Sequence, residues 1–263
     1  MNVRHPGPSV GGNTETHPHI QNVVVAALSQ AIPARTAAAE GATACNFLFG
    51  GLHPETGEYY TNYHFEGCGW GGTATHDGNS VMCPVNGNCR NTPVEVFETK
   101  YPFLTLEYSM RKDSGGVGKR RGGLGSSRRL RVMAPEITVS ALLDRTRTHA
   151  WGLFGGAGGA SAKLLVKKKG QSGFTTFSEA FGTISATKFT RIVLKEGDEV
   201  IIQSPVAHAH LSFKPSRLPF NGNFFFNRRI HSFSFAPILR SGLGIHSRCA
   251  AAALSLSGGL TLV

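Results

Sequence analysis

Glycine is the feature that most constrains this chain, since it accounts for 33 of the 263 residues. The densest stretch is segment 113–125, where six glycines and three basic residues share thirteen positions. Glycine enters left-handed conformations and lets another backbone or a ligand approach closely, so this composition predicts many turns and argues against a helical bundle. The glycine spacing matches neither the phosphate-binding loop of nucleotide hydrolases nor the dinucleotide-binding fingerprint.

Two interpretations of segment 113–125 stay open. Its backbone amides can cradle a phosphate or a carboxylate, and Asp113 and Ser114 at its start are then candidate substrate-binding residues. The alternative is a tight structural turn whose basic side chains face water, and the residue pattern favours it.

Net charge and cysteine content bound the class of protein. The net charge of +11 falls to +5 without the six basic residues that follow Glu199, where no acidic residue occurs. No nucleic-acid-binding module accompanies this charge, so we expect no nucleic-acid partner. The chain has no apolar run of membrane-spanning length, its first residues are too polar for a signal peptide, and its five cysteines are an odd number. We therefore expect a cytoplasmic protein with free thiols and no membrane association.

The fold class predicted from the sequence is α+β, with a helix near the N-terminus and a β-rich, glycine-laden second half. Apolar residues at three- and four-residue spacing predict a helix over 20–39 that Pro33 ends or kinks. Segment 195–198 is typical of a hairpin turn that joins the last two strands. No linker divides the chain into two domains. Strands are expected over 58–65, 102–110, 130–143, 163–167, 189–194 and 199–202.

The densest set of candidate catalytic residues lies near the start of the chain. Arg4, His5, Asn13 and Glu15 combine a base, a carboxylate and an amide that can orient a cyclic amide and polarise its carbonyl. The structural alternative is that Asn13 and Thr16 cap the following helix, with Glu15 near its positive end. Both interpretations can hold together.

Two further groups of polar residues are candidates for the site. His76 and Asp77, on a glycine-flanked turn, can serve as a base or a metal ligand, although an Asp-Gly turn beside an exposed histidine is the simpler interpretation. Asn88, Arg90 and Asn91 offer amide and guanidinium groups suited to carboxylate or imide edges. Their alternative role is a hydrogen-bonded turn before Pro93.

The cysteines do not predict a zinc site. Cys68, Cys83 and Cys89 contain no Cys-x-x-Cys pair, and Cys83 and Cys89 are too far apart for that motif. We expect buried or partly buried free thiols. Which residues ligate a metal is unknown from this pattern.

Five sequence blocks, in order, resemble the C-terminal part of the hydantoinase B/oxoprolinase family. They are 4–16, 69–78, 91–102, 113–125 and 152–159, and the resemblance runs from about Asn2 to about Pro205. The family includes B subunits of N-methylhydantoinase, the second half of 5-oxoprolinase, and related subunits of acetone and acetophenone carboxylases. The resemblance identifies the family and leaves the choice of member open.

The resemblance implies one part of an ATP-dependent enzyme that opens a small cyclic amide, a hydantoin or 5-oxoproline. A hydantoinase A-like subunit or domain would bind ATP, so we expect a hetero-oligomer. A divalent metal, magnesium or manganese, would be held by ligands in an N-terminal portion of the family fold that this chain lacks. A carboxylase-type B subunit and a non-catalytic remnant are the alternatives.

The family pattern stops after Pro205. We therefore expect residues 1–205 to form the family segment, and residues 206–263 to be a divergent tail, frame-shifted or disordered, outside the folded core. Because Met1 corresponds to a position inside the family's domain, we expect a partial domain that is inactive by itself.

Overall fold

The structure is a computed structural model that describes residues 12–207 and 209, all within one compact unit. It confirms the α+β class. A π-helical turn, Gly12–Thr16, leads into the first helix. The elements are α1 (His17–Ala31), β1 (Asn46–Leu52), β2 (Tyr59–His64), α2 (Val94–Lys100), β3 (Phe103–Met110), β4 (Ser126–Val132), β5 (Glu136–Leu142), β6 (Lys163–Lys167), β7 (Thr175–Thr176), α3 (Phe177–Phe181), β8 (Lys188–Lys195) and β9 (Glu199–Gln203).

The strands form two antiparallel sheets. One has the order β2-β1-β5-β8 and the other the order β3-β4-β9-β6-β7. A single apolar cluster joins them, because alternate residues on the facing strands are buried, such as Phe47 and Phe49 of β1 and Leu130 and Val132 of β4. No helix in the described part of the chain has the length and apolar character that crossing a membrane requires.

Two of the predicted strand features are wrong. The expected strand over 130–143 is two strands in different sheets, since β4 ends before Pro135, which has no N–H to donate to a ladder. The expected hairpin at 195–198 is a tight turn, and Asp198 does accept the Lys195 N–H at 2.9 Å. However, β8 pairs with β5 and β9 pairs with β4 and β6, so the turn carries the chain from one sheet to the other.

The first helix exists as predicted but ends at Ala31, just before Pro33. Its apolar stripe does not face the core, because Val23 is 65% exposed and Val24 52%. Asn22 is one of the buried positions of α1. Its Nδ2 donates to the Glu40 carbonyl at 3.2 Å, and its Oδ1 accepts the Glu40 N–H at 3.3 Å. We call the outward-facing side chains the α1 apolar face: Ile20, Val23, Val24, Leu28 and Ile32.

Segment 113–125 packs against neighbouring backbone. A Cβ at Gly123 would collide with the Asn79 carbonyl oxygen, and the Gly123 N–H donates to the Trp70 carbonyl at 2.9 Å. This close approach supports the structural interpretation of the glycine-rich segment.

Most of the expected tail, 206–263, lies outside the described residues. Val206, Ala207 and Ala209 are buried, and the Ala207 carbonyl accepts the Gly116 N–H at 3.1 Å. These three residues therefore belong to the folded core, beyond the expected boundary after Pro205.

Candidate functional site

A cleft of about 140 Å³ opens between the end of β2 and segment 81–92. Its lining includes the predicted residues Arg90 and Asn91 together with Tyr63 and Tyr108. Pockets for drug-sized ligands are usually about 300 Å³ or larger, so this cleft suits a small ring and not a nucleotide.

A buried ion-pair network forms the floor of the cleft. Glu66 is fully buried, and its Oε1 accepts a hydrogen bond from Arg128 Nε and lies 3.0 Å from His64 Nε2. Its Oε2 accepts the Ser126 hydroxyl at 3.0 Å. Tyr108 covers Arg128, with 3.9 Å between the guanidinium carbon and the ring centroid. Each oxygen of Glu66 therefore has at least one partner, which a buried charge requires.

The charge state of this network is set by its contacts. Burial by itself would raise the pKa of Glu66, but the His64 hydrogen bond and the Arg128 charge outweigh it and lower that pKa below its ordinary value. A carboxylate can only accept, so His64 donates to it through Nε2–H. Arg128 also donates to Asn91 Oδ1 at 2.9 Å, which leaves the Asn91 Nδ2 to donate to a ligand in the cleft.

A second buried carboxyl, Glu15, lies in the layer formed by residues 12–45, which we call the N-terminal layer. Glu15 is 3% exposed and accepts hydrogen bonds from Thr43 Oγ1 at 2.7 Å, Asn46 Nδ2 at 2.8 Å and the Asp144 N–H at 3.2 Å. All three donors are uncharged groups. Burial therefore dominates and raises the pKa of Glu15 to about 8, so this carboxyl is mostly protonated at neutral pH.

Hydrogen bonds connect Glu15 with the cleft. Asn46 Nδ2 donates both to Glu15 and to Thr14 Oγ1, the latter at 3.0 Å. Thr14 Oγ1 is in turn 3.0 Å from the Tyr63 hydroxyl, and Tyr63 lines the cleft. A chain of hydrogen bonds thus runs from Glu15 to Tyr63 in the wall of the cleft.

The N-terminal candidates are placed only in part. Arg4 and His5 lie outside the described residues. Asn13 is exposed, and its Oδ1 accepts from Asn86 Nδ2 at 3.3 Å. The capping alternative is wrong for Thr16, whose side chain makes no capping hydrogen bond. Glu15 does lie at the start of α1, one residue before the N-cap position Thr16, and its side chain is buried.

The other predicted residues separate into two groups. Arg90 and Asn91 line the cleft, whereas the exposed Asn88 is not among its lining residues. His76 Nδ1 is 2.8 Å from the neighbouring Thr75 hydroxyl, and Asp77 Oδ1 accepts the Arg121 N–H at 3.0 Å. These contacts match the turn interpretation.

Asp113 and Ser114 also lie away from the cleft lining. Asp113 is exposed with a φ of 54°, in the left-handed region that aspartate tolerates better than most residues. Ser114 is buried, donates to the Arg111 carbonyl and accepts the Gly125 N–H at 3.4 Å. Both residues thus shape the glycine-rich turn.

Sequence reasoning missed His64, Glu66, Arg128 and Tyr108. One signal could have found Arg128, because the period of two in β4 places it on the same face as the buried Leu130 and Val132. A charged residue at an inward position requires a buried partner.

Within 12–207 and 209, no group of three or more His, Cys, Asp or Glu side chains converges as a metal site would require. The resemblance implied that the metal ligands lie in another portion of the family fold, and this stays a prediction.

The α+β fold and the five sequence blocks of the resemblance point to one protein family. The hydantoinase B/oxoprolinase model matches residues 1–207, and the chain belongs to this family.

Three relatives illustrate the similarity. An uncharacterised protein of Methanocaldococcus jannaschii is 37% identical over 65% of this chain and 29% of its own length. A 5-oxoprolinase of Pestalotiopsis fici is 30% identical over 76% of this chain and 15% of its own length. The ATP-dependent caprolactamase from Pseudomonas jessenii has a similar fold, with a TM-score of 0.66 at 22% identity over 80% of this chain and 36% of that chain. The chain thus spans less than a third of the length of these two curated relatives.

Proposed function

We propose that this chain is the B-type part of an ATP-dependent enzyme that opens the ring of a hydantoin or 5-oxoproline. The observation that carries the proposal is the cleft above the Glu66–Arg128 pair, where Asn91 presents a free amide donor beside Arg90. Membership of the family and the similarity to a 5-oxoprolinase support the substrate class.

The cleft offers groups that match one edge of a cyclic amide. The Asn91 Nδ2 can donate to a ring carbonyl, and the Arg90 guanidinium can pair with a carboxylate or a second carbonyl. Glu66 holds Arg128, and Arg128 fixes the Asn91 amide, so the donor is oriented before substrate arrives. This orientation is the contribution we assign to the buried network.

ATP in this proposal belongs to a hydantoinase A-like partner, where it would supply the phosphoryl group that activates the lactam oxygen. A cleft of about 140 Å³ suits the ring and leaves the nucleotide to another site. A divalent metal would likewise be held outside the described residues of this chain.

The α1 apolar face supports a hetero-oligomer. Contiguous exposed apolar side chains on a protein surface commonly mark an interaction site, and this face carries five of them. We assign it to contact with the A-type partner or with the remainder of the B-type fold, since the chain covers only 29% of the relative from Methanocaldococcus jannaschii.

The test is substrate-dependent ATP hydrolysis by the chain mixed with an A-type partner and the N-terminal portion of a B-type relative. ADP release should depend on 5-oxoproline or hydantoin, and the chain by itself should show none. Asn91→Ala should lower kcat/KM about tenfold or more by removing an oriented donor. Asn88→Ala, three positions away from Asn91 but outside the cleft lining, is the matched control and should have little effect. No cyclic-amide-dependent turnover in the complete mixture would contradict the proposal and favour a non-catalytic remnant.

A further inference from the structure

A pair of cysteines lies at the rim of the cleft, and the proposed chemistry does not use it. Cys83 and Cys89 both line the cleft, Cys89 is exposed, and Cys83 is partly buried. Cys89 lies close enough to the Cys83 thiol for its side chain and backbone to change the pKa of that thiol. The two sulfur atoms are therefore near neighbours although six positions separate them in sequence.

The intervening turn holds the thiols together. The Gly87 N–H donates to the Pro84 carbonyl at 2.8 Å, which folds segment 83–89 back on itself. A side chain at position 87 would collide with the Cys83 sulfur, so glycine keeps that space open.

Three contacts anchor this turn to other parts of the chain. The Trp70 indole donates to the Cys83 carbonyl at 2.9 Å, and the Glu40 carboxylate accepts the Val85 N–H at 3.2 Å. The Asn86 side chain donates to the Asn13 backbone carbonyl. The turn between the two thiols is thus anchored to other parts of the chain at Cys83, Val85 and Asn86.

We propose that Cys83 and Cys89 form a reversible disulfide that modifies the rim of the cleft in response to the thiol–disulfide balance of the surroundings. Cys89 is next to Arg90 and Asn91, so the bond would restrain the donors of the cleft. The proposal does not depend on the ring-opening function, because its test reads thiol chemistry and not turnover.

The oxidant is a small disulfide, oxidised glutathione. The Cys89 thiolate attacks one glutathione sulfur, forms a mixed disulfide and releases one glutathione thiolate. The Cys83 thiolate then attacks the Cys89 sulfur and releases the second glutathione. The two protons that leave the cysteines end on the two glutathione thiols, so two protein thiols and one small disulfide give one protein disulfide and two small thiols.

The order of attack follows from the environments of the two thiols. Burial and the neighbouring Cys89 raise the pKa of Cys83 to about 11, so little of it is thiolate at neutral pH. The exposed Cys89 reacts first with the small disulfide. Cys83 resolves the mixed disulfide from a short distance, where proximity compensates for its small thiolate fraction.

The experiment equilibrates the full chain in glutathione buffers of graded redox ratio, quenches it with N-ethylmaleimide under denaturing conditions, and maps the labels by mass spectrometry. Cys83 and Cys89 should lose their labels together, and Cys45 and Cys68 should keep theirs. The equilibrium constant for the pair should fall about tenfold or more when the same titration is done in urea, because unfolding separates the thiols.

Single variants distinguish a disulfide from two independent thiols. Cys83→Ser should stop at a mixed disulfide of Cys89 with glutathione, and Cys89→Ser should leave Cys83 largely labelled. A wild-type chain that stops at the Cys89 mixed disulfide, or that cross-links only between chains, would overturn the proposal. An equilibrium constant unchanged in urea would overturn it as well, since the fold would then contribute nothing.

Discussion

The two sheets and the N-terminal layer differ in the partners of their buried glutamates and in the direction that their apolar side chains face. Between the sheets, apolar side chains face one shared core, and the buried Glu66 is paired with Arg128. In the N-terminal layer, the α1 apolar face points outward, and the buried Glu15 has only uncharged donors. Within the described residues, the sheets therefore bury their apolar side chains against each other, whereas the N-terminal layer leaves an apolar face exposed.

The same contrast appears in the two carboxyl groups. Charge and hydrogen bonds lower the pKa of Glu66, and burial raises the pKa of Glu15 to about 8. Glu66 thus supplies a permanent charge that orients Arg128, whereas Glu15 exchanges a proton near neutral pH.

The largest effect is expected from Arg128→Met, which leaves Glu66 buried without its cation. Breaking one partner out of a buried pair costs about 3–5 kcal/mol, so the free energy of unfolding should fall by that order. Chemical denaturation at pH 7 measures it. The control is Arg129→Met on the same strand, where Glu199 keeps Arg131 and Lys167 as partners. Equal, small losses in both variants would show that the Glu66–Arg128 pair contributes no more to stability than an ion pair whose carboxylate keeps other partners.

An intermediate effect on the free energy of unfolding is expected from a change of pH. Because the folded protein holds the Glu15 proton up to about pH 8, while an unfolded glutamic acid releases it near 4.5, the stability from this group is complete below pH 4.5 and is lost as pH rises toward 8. Each pH unit in this window should cost about 1.4 kcal/mol, so the loss between pH 4.5 and pH 7 should be about 3 kcal/mol. Glu15→Gln should remove this dependence and make the variant more stable than the wild type above pH 8. Denaturant unfolding at a series of pH values gives the comparison.

Glu40 is the control for that pH series. Burial raises its pKa to about 7, so it contributes in the same direction over a narrower window. Glu40→Gln should remove its own part and leave the part that extends to pH 8. Glu66, with its lowered pKa, acts with the opposite sign and stabilises the protein above pH 4.5. A pH series that Glu15→Gln leaves unchanged would refute the protonated state of Glu15.

The smallest effect on stability is expected from Val23→Asp on the α1 apolar face. This side chain is 65% exposed, so the free energy of unfolding should change by about 0.5 kcal/mol or less. Association with an A-type partner or with the remaining B-type fold should weaken clearly, as sedimentation or titration calorimetry would measure. Ile184→Asp, at a still more exposed apolar position outside this face, should not change it. Unaltered binding by Val23→Asp would remove the face from the interface.

How much the sequence predicts differs between the same regions. The three- and four-residue spacing of apolar residues, including Val23 and Val24, predicted the helix. This periodicity shows only that the two faces of the helix differ and not which neighbour covers each face. Most strand positions followed from residue type, although β1 and β7 were not among the expected strands. Pro135 and the turn at 195–198 move the chain between sheets, and this depends on tertiary packing.

The candidate site was predictable only where its residues are close together in sequence. Arg90 and Asn91 were found from a local run of donors. Glu66 was missed, because its partner Arg128 is 62 positions away and only the fold brings them together. A paired and an unpaired buried glutamate therefore look alike in the sequence.

The measurement that tests this contrast most directly is a carbon-13 NMR titration of the glutamate side-chain carboxyls, with Glu15→Gln and Glu66→Gln assigning the signals. We expect the Glu15 carboxyl to titrate near pH 8 and the Glu66 carboxyl to stay ionised below pH 4.5 for as long as the protein is folded. If both carboxyls titrate together near pH 4.5, the distinction between a permanently charged cleft floor and a proton-exchanging N-terminal layer is wrong.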